Sequence, residues 1–296
     1  MTLEVLNKRI KTTTDLRNIV STMKMLSSVS ISQYEKALAS LTEYGKTVYE
    51  AFQGLFKDDA FVYTPRISKT EQPNTIAIII GSDNGLVGRF NRDVMTFARE
   101  DIAKQGDLKK TQLICVGKRI GLMAQSNKLQ VADTYPIMNS LKEIASVASM
   151  VLMKINDVIT KERIDRVLVY YTYRKTGEPQ RPTVQQLMPL PISEMMRLKK
   201  EKWNGRTPPL VTGDRQALFG ALVHEYLTVI LAHALTASLA AEHYTRMVNM
   251  QQAEKNIDES LENMNLEYQQ LRQTSITDEL IDIVSGAESM KKKRAK

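Results

Sequence analysis

Three glycines follow an apolar run near the middle of the chain. The run at residues 76–80 ends at Gly81, and Gly85 and Gly88 come next in the segment "GSDNGLVGRFN". A strand, a glycine-rich turn and a helix often begin a nucleotide site, because backbone N–H groups at a helix N-terminus bind phosphate. A dinucleotide fingerprint needs G-x-G-x-x-G and a P-loop needs G-x4-G-K-[ST], and the spacing found here meets neither. The pattern favours a tight turn that needs glycine, and a nucleotide or another anion near Arg89 is the alternative.

No other set of side chains has the spacing of a catalytic or metal site. His224, His233 and His243 are 9 and 10 residues apart, so no two of them can form the i, i+4 pair of a helical metal site. Three clustered carboxylates near the C-terminus are Asp278, Glu279 and Asp282. They lie in a charged segment, which is typical of a solvated or partner-facing surface. The sequence therefore predicts no catalytic residue, no metal ligand and no cofactor.

Composition gives the broad class. The chain has 296 residues, is 43% hydrophobic and carries a formal net charge of +8, which indicates an acidic partner: nucleic acid, a membrane surface or an acidic protein. Neither a transmembrane helix nor a signal peptide is expected from the apolar runs. The single Cys115 lies in an apolar run, which fits a small core residue in a reducing compartment. The final "KKKRAK" is typical of a solvated tail, and nucleic-acid binding is a minor alternative because no aromatic platform accompanies it.

The two ends of the chain lack proline, which breaks helices. No proline precedes Pro65 and none follows Pro209. Small or apolar residues recur every three or four positions at both ends, which predicts a coiled-coil seam; two core helices of a bundle are the alternative. The N-terminal stripe is Leu16, Val20, Met23, Ser27, Ser30, Tyr34, Ala37, Leu41, Tyr44, Val48, Ala51 and Leu55. The C-terminal stripe is Met250, Ala253, Ile257, Leu261, Met264, Tyr268 and Leu271.

Helix length favours the coiled coil. Helices over residues 3–56 and 214–285 would span roughly 80 and 110 Å. A central domain with a radius of gyration of about 13 Å is too small to cover them, so the helices must bury their stripes against each other. The longer helix leaves an uncovered end, which implies that another protein surrounds it. Its apolar residues are Ile276, Leu280, Ile283 and Val284.

The centre alternates strand and helix patterns. Strands are predicted at 76–80, 111–117, 165–173 and 183–191, with a short strand or loop at "KLQVADTY", and helices at 91–103, 118–126 and 140–159. This order favours a mainly parallel sheet covered on both faces. The predicted fold class is α/β: a long antiparallel coiled coil of the terminal helices plus a central Rossmann-like domain. The expected divisions are 1–60, 70–192, a linker at 193–212, 213–288 and a basic tail at 289–296.

Long segments of the chain resemble one family. The stretch "RQTSITDELIDIVSGA" and the residues before it are similar to the C-terminal helix of the γ subunit of F-type ATP synthases. "NKRIKTTTDLRNIVSTMKM" resembles its N-terminal helix, and "GSDNGLVGRFN" resembles its first strand and turn. The resemblance covers nearly the whole chain and is weakest at 192–215.

The resemblance implies a non-catalytic rotor shaft that couples ion flow to the three catalytic β sites. The implied partners are the α and β subunits of the catalytic hexamer, the ε subunit and the c-ring, with no nucleic acid, no cofactor and no direct membrane insertion. The implied location is peripheral, on the cytoplasmic face of a bacterial or archaeal cell membrane. The positions that match the family's contacts with the α/β ring are Met23, Lys24, Arg246, Gln273, Thr277 and Glu279.

Two segments depart from the usual pattern of the family. Asn84 and Val87 interrupt a turn that normally reads nearer SDRGLCG, and "LSSVSISQYEKA" replaces a stretch rich in alanine and basic residues. The latter looks more like the γ subunit of the N-type branch, which drives ATP-dependent sodium export. A nucleotide-binding α/β enzyme and a free-standing coiled-coil scaffold remain as hypotheses from other classes.

Overall fold

The computed structural model describes residues 2–58, 61–62, 73–105, 108–137, 140–175, 177–190, 197, 200–203, 205, 207 and 209–294. Contacts divide the chain into two compact units. The central unit is Ser27–Arg246, and the terminal unit combines Met1–Leu26 with Met247–Lys296. Much of the predicted linker at 193–212, and the side chains of the predicted tail at 289–296, lie outside the described residues. The predicted domain divisions therefore stay predictions.

Two long helices begin and end the chain. Helix α1 is Leu3–Lys57 and helix α5 is Arg215–Arg294. Their extent follows from the absence of proline, since glycine is the only other strong helix breaker and it is rare in both. The second helix continues beyond residue 285, where the sequence pattern placed its end.

A five-stranded sheet forms the centre of the central unit. Its strands are β1 (Thr75–Ile80), β2 (Thr111–Val116), β3 (Val131–Tyr135), β4 (Arg166–Tyr173) and β5 (Arg181–Met188). The order is β3-β2-β1-β4-β5, in which all neighbours are parallel except the hairpin pair β4–β5. The prediction of a mainly parallel sheet with a terminal hairpin is confirmed, and the short third segment is a strand.

Helices cover both faces of this sheet. They are α2 (Phe90–Gln105), α3 (Lys118–Ser126) and α4 (Leu141–Lys161). Alternate residues of β1 point to opposite faces: Ile78 packs with α4 and α5, and Ile79 packs with α2 and α3. Because β1 is buried on both faces, it reads as a continuous apolar run.

Within the central unit, α1 and α5 run antiparallel. Successive contacts join Tyr34 to His243, Tyr44 to Glu225, Phe52 to Phe219 and Asp58 to Arg215. The tightest part is an aromatic cluster around Phe52, which is fully buried and lies 5.9 to 6.3 Å from the rings of Phe56, Phe219 and Tyr226. Burial of these rings stabilises the pair, since aromatic side chains remove the largest apolar areas from water.

The terminal unit repeats the antiparallel pairing. Arg17 forms an ion pair with Asp258, and Lys24 forms one with Glu254. Val20 and Met250 are buried there, as the stripes predicted. The predicted pairing of the terminal helices is thus confirmed in each unit.

The stripe prediction is wrong at three positions of α1, since Leu16, Tyr44 and Ala51 are exposed. Leu16 is 49% exposed and Tyr44 is 47% exposed. A strict spacing of three and four drifts around a straight helix, so that some positions turn away from the partner. The Tyr44 hydroxyl instead donates a hydrogen bond to the Glu225 carboxylate at 2.8 Å.

One stretch of α5 is apolar enough to cross a membrane by length and composition alone. Within Arg215–Ser285 an 18-residue window has a mean hydropathy of 1.5, and 28% of that window is buried. Core helices pass the same test, and Leu231 and Leu235 of α5 are buried against the sheet and α4. Packing inside the central unit therefore accounts for the buried part of this apolar stretch.

Candidate functional site

The glycine-rich turn is held together by its own polar side chains. Asn91 Oδ1 accepts a hydrogen bond from the Ser82 backbone N–H at 2.9 Å, and Asn91 Nδ2 donates to Ser82 Oγ at 2.8 Å. Ser82 Oγ in turn donates to the carbonyl of Asn84 at 2.9 Å. Asn91 and Ser82 are both buried, so these bonds satisfy groups that water does not reach.

The N-terminus of α3, where an anion could bind, already holds a carboxylate. Asp83 Oδ1 accepts hydrogen bonds from the backbone N–H of Lys118 at 2.7 Å and of Ile137 at 3.2 Å. A carboxylate at this position complements the positive end of the helix dipole, as a phosphate would. Asp83 would therefore compete with a phosphate for these donors.

The glycines of this region permit close packing. A Cβ at Gly81 would lie 2.5 Å from the Cβ of Ile120. Gly117 has a φ of 118°, and a Cβ at that residue would lie 2.9 Å from the carbonyl carbon of Gly81. Gly88 lies in the left-handed region at φ = 53°. The prediction of a tight turn that needs glycine is confirmed.

The same turn attaches the sheet to α5. Val87 and Phe90, both buried, form a small apolar cluster with Ala241 of α5. The turn follows β1, at the carboxyl edge where strand order reverses between β1 and β4, which is the position where doubly wound sheets bind ligands. Here the residues after β1 pack on the chain's own terminal helix.

A surface hollow of about 830 Å³ lies beside the turn. Its lining includes three basic residues, Arg92, Lys118 and Arg119, together with Asp83. The Arg119 guanidinium lies over Gly85, with Nη2 2.9 Å from where a Cβ would stand. The basic residues of this hollow are compatible with the nucleotide alternative, but the glycines of the turn beside it lack the spacing of a P-loop.

A buried ion pair lies on α5 near this contact. Glu242 is 2% exposed and Arg246 is 7% exposed, and Arg246 Nη2 donates to Glu242 Oε1 at 2.5 Å. Burial raises the pKa of Glu242 to about 7, the nearby Arg246 opposes that rise, and Asp83 adds to it. The family resemblance implied a contact of Arg246 with another subunit, whereas its guanidinium pairs here with Glu242 inside the chain.

The other predicted contact residues are accessible to different degrees. Met23 is half-buried, and Lys24 is half-buried in its ion pair with Glu254. The pKa of Glu254 is lowered, and the hydrogen bond that Lys24 donates to this carboxylate is the largest cause. Gln273, Thr277 and Glu279 are exposed on one stretch of α5, where the Thr277 hydroxyl donates to the Gln273 carbonyl at 2.9 Å. The structure does not bring the six residues together into one cluster, and their contact role stays a prediction.

Exposed apolar side chains extend along both terminal helices. On α5, Ile276, Leu280, Ile283 and Val284 are 48 to 68% exposed, as the sequence predicted. On α1, a second set faces solvent: Val5, Ile19, Met25, Leu26 and Val29. Exposed apolar side chains that recur along a helix are typical of a surface that contacts another protein or a membrane.

The side chains that could react chemically include Cys115, which is buried, and His233 and His243, which are half-buried. Cys115 is fully buried, and burial raises its pKa to about 12, so the thiol is not a nucleophile near neutral pH. Burial lowers the pKa of His233, and it lowers that of His243 to about 4. Within the part of the chain that the structure describes, no group of three or more His, Cys, Asp or Glu residues could hold a metal ion.

The edge of the sheet at which doubly wound folds bind ligands packs here on the chain's own helix α5. The terminal helices expose apolar side chains. These two features are those of a partner-binding subunit of a larger complex. The model of the ATP synthase family matches residues 2–290. The ATP synthase gamma chain of Staphylococcus epidermidis is 24% identical over 296 residues, covering 97% of this chain and 99% of that protein. The gamma chain of Geotalea uraniireducens is 28% identical over 293 residues, covering 98% and 99%. The chain belongs to the ATP synthase family, and along its length it is similar to the gamma chain, the non-catalytic stalk subunit of that complex.

A solved structure supports the same fold. One chain of the Euglena gracilis mitochondrial ATP synthase, in a structure of OSCP, F1 and c-ring in rotational state 3, matches with a TM-score of 0.62. The identity is 16%, and the match covers 97% of this chain and 94% of that chain. The prediction of the fold class is thereby confirmed.

Sequence reasoning missed three features of the site. They are the aromatic cluster around Phe52, the contact of Val87 and Phe90 with Ala241, and the buried pair of Glu242 and Arg246. The spacing of Glu242 and Arg246 was visible as an i, i+4 pair, but such pairs usually lie on an exposed helix face. Their burial could not be inferred without the tertiary contacts.

Proposed function

We propose that this chain is the central rotor shaft of a rotary F-type ATPase. It couples ion flow through the membrane ring to the conformational cycle of the three catalytic β sites. The observation that carries the proposal is the exposed apolar end of α5, where Ile276, Leu280, Ile283 and Val284 are 48 to 68% exposed. An apolar end of this kind requires a surrounding protein.

The helix pair suits the transmission of torque. Two helices that pack through buried aromatic rings and ion pairs resist bending and twisting better than one helix does. The two helices present different side chains around their circumference, so each catalytic β site meets a different surface at any moment. Rotation then biases the three sites through different nucleotide affinities in turn, because a site shifts only by the difference in its contacts between states.

The sheet and its turn have a different task. The packing of Val87 and Phe90 on Ala241 fixes α5 to the sheet within the central unit. The central unit then contacts the ε subunit and the c-ring, and the complex holds the chain peripherally on the cytoplasmic face of the cell membrane. Met23, Lys24, Gln273, Thr277 and Glu279 contact the α and β subunits.

Purification of the complex through a tag on this chain tests the assignment. The α and β subunits should co-purify in threefold excess over the tagged chain. Truncation after Gln273 should then weaken assembly or the coupling of ATP hydrolysis to ion transport, since it removes the exposed apolar end. Truncation after Met290, which removes only the basic tail, is the matched control. A fully coupled complex from the shorter chain would overturn the role given to this helix end.

The serine-rich segment "LSSVSISQYEKA" favours the N-type branch as a second candidate. In that case the complex exports sodium ions at the expense of ATP. Sodium chloride should stimulate ATP hydrolysis by the purified complex at fixed pH and ionic strength, whereas potassium chloride should not. Equal rates in the two salts would assign the chain to the proton-linked branch.

The nucleotide-binding enzyme is tested on the chain alone. Calorimetry with ATP and ADP should show no binding in the micromolar range, since Asp83 occupies the donors at the N-terminus of α3. Micromolar binding at the basic hollow would count against a purely mechanical role.

A further inference from the structure

The ion pair of Glu242 and Arg246 is buried but incomplete. Glu242 Oε1 accepts a hydrogen bond from Arg246, while Glu242 Oε2 is buried without a hydrogen-bond partner among the described residues. A buried carboxylate needs both oxygens satisfied for its charge to be well stabilised. This carboxylate therefore relies on a single guanidinium.

Among the described residues, the groups whose charges act on the pair include no second cation. Tyr34 of α1 faces Glu242 and Arg246, and its pKa is raised to about 12, mainly by burial, so the phenol is neutral. Asp83, in the turn after β1, adds a negative charge that disfavours the ionised form of Glu242. His243 is neutral, because burial and Arg246 lower its pKa to about 4. Arg246 is thus the counter-ion that this environment provides.

Protonation of Glu242 would change the state of Arg246. The pKa of Glu242, raised by burial to about 7, puts this proton within the physiological range. Once Glu242 is neutral, Arg246 loses the only carboxylate to which the described residues hydrogen-bond it, and a buried guanidinium without a hydrogen-bonded counter-ion is costly. The guanidinium then gains free energy by turning toward water or toward an external carboxylate.

We propose that Glu242 is a proton-controlled counter-ion, which holds Arg246 inside the chain when it is ionised and releases Arg246 to an acidic partner when it is protonated. The pair lies at the end of the central unit, whose last residue is Arg246. The internal exchange needs no other subunit. Only the identity of the acceptor, a carboxylate on a surrounding subunit, rests on the proposed function.

Chemical modification of the full-length chain tests the release. Phenylglyoxal modifies accessible guanidinium groups, and mass spectrometry reports the modified fraction at each arginine. Arg163, whose side chain is 78% exposed, serves as the internal reference for the pH dependence of the reagent. The ratio of the Arg246 rate to the Arg163 rate should rise at least about ten-fold from pH 9 to pH 7, since neutral Glu242 grows from about 1% to about 50% of molecules. A ratio that does not change with pH overturns the proposal.

Two variants sharpen the result. Glu242→Gln mimics the protonated acid, so its ratio should be high and independent of pH. Glu254→Gln, which removes the partner of Lys24 in the terminal unit, should keep the pH dependence of the wild type. If Glu242→Gln fails to fold, the wild-type ratio still decides. A wild-type pH dependence in Glu242→Gln overturns the role of this carboxylate.

The acceptor is tested in the assembled complex. There, Arg246 should be protected from phenylglyoxal at pH 7, because the external carboxylate takes its place beside the guanidinium, and Glu242→Gln should show the same protection at pH 9. Unprotected Arg246 in the complex overturns the external acceptor. Failure of the chain to co-purify with α and β would overturn the shaft assignment instead, and the ratio measured on the free chain would still stand.

Discussion

Gly81 is the residue at which the turn tolerates no side chain. A Cβ there would lie 2.5 Å from the Cβ of Ile120 and 2.6 Å from Asn91 Oδ1. Ile120 is fully buried, so it cannot move aside without disturbing the core. We expect Gly81→Ala to lower the free energy of unfolding of the chain by about 1–3 kcal/mol, measured by denaturant titration.

Gly220 is the matched control for this substitution. It lies in α5, and a Cβ at that position would meet nothing within 4 Å. Gly220→Ala should therefore raise the free energy of unfolding by about 1 kcal/mol, because alanine has the higher helix propensity. If both substitutions changed stability in the same direction, close packing would not be what the turn requires of Gly81.

Glu242 makes stability depend on pH with a definite sign. Its folded pKa is about 7 against an ordinary value of 4.5, mainly because it is buried. Between these values the folded chain binds more protons than the unfolded chain does, so this site's contribution to stability is present at low pH and is lost as pH rises. The stability of the wild type relative to Glu242→Gln should fall by an amount on the order of 3 kcal/mol from pH 4.5 to pH 7. A rise over this range would mean that Arg246 outweighs burial.

The aromatic cluster is the contact that we expect to dominate the pairing of α1 and α5 in the central unit. Phe52 is fully buried and has Phe56, Phe219 and Tyr226 around it. Phe52→Ala should cost about 3–5 kcal/mol in the free energy of unfolding, since it removes a large side chain and leaves a cavity. Tyr44→Phe, at a 47% exposed position of the same helix, should cost no more than about 1 kcal/mol. Equal costs would show that the cluster does not hold the helices together.

The elements were predictable to the extent that local signals defined them. The bounds of α3 agree with the pattern at 118–126, and the absence of proline predicted both terminal helices. The stripe of α1 was less reliable, because spacing alone cannot say which turn of a long helix meets a partner. The spacing predicted that Tyr44 is buried, but this residue is exposed. It also left out Phe52, which follows the stripe residue Ala51 and is fully buried.

The candidate site shows the same division between local and tertiary signals. The glycine spacing was enough to disfavour a P-loop, since that inference needs only the order of residues. The packing of Ala241 on Val87 and Phe90 joins residues more than 150 positions apart, and nothing in the local pattern indicated it. The burial of Arg246 was unpredictable for the same reason.

Across the whole molecule, some apolar side chains are buried within the chain itself, and others are exposed and would be buried only by a partner. Leu280 is 58% exposed, whereas Met264 of the same helix is 8% exposed. Leu280→Asp should change the free energy of unfolding of the chain by no more than about 0.5 kcal/mol, because exposed positions tolerate charge. It should nevertheless impair assembly with the α and β subunits, since a carboxylate would be buried in the contact.

Met264→Asp should have the opposite pattern and destabilise the chain itself by several kcal/mol, on the order of the cost of burying an unpaired charge. Denaturant titration of the isolated chain and co-purification of the tagged complex separate the two effects. Normal assembly with Leu280→Asp would show that this face of α5 points away from the surrounding subunits. In that case the apolar residues of α1, such as Ile19 and Val29, would become the surface to test next, because they are 58% exposed and lie on the other terminal helix.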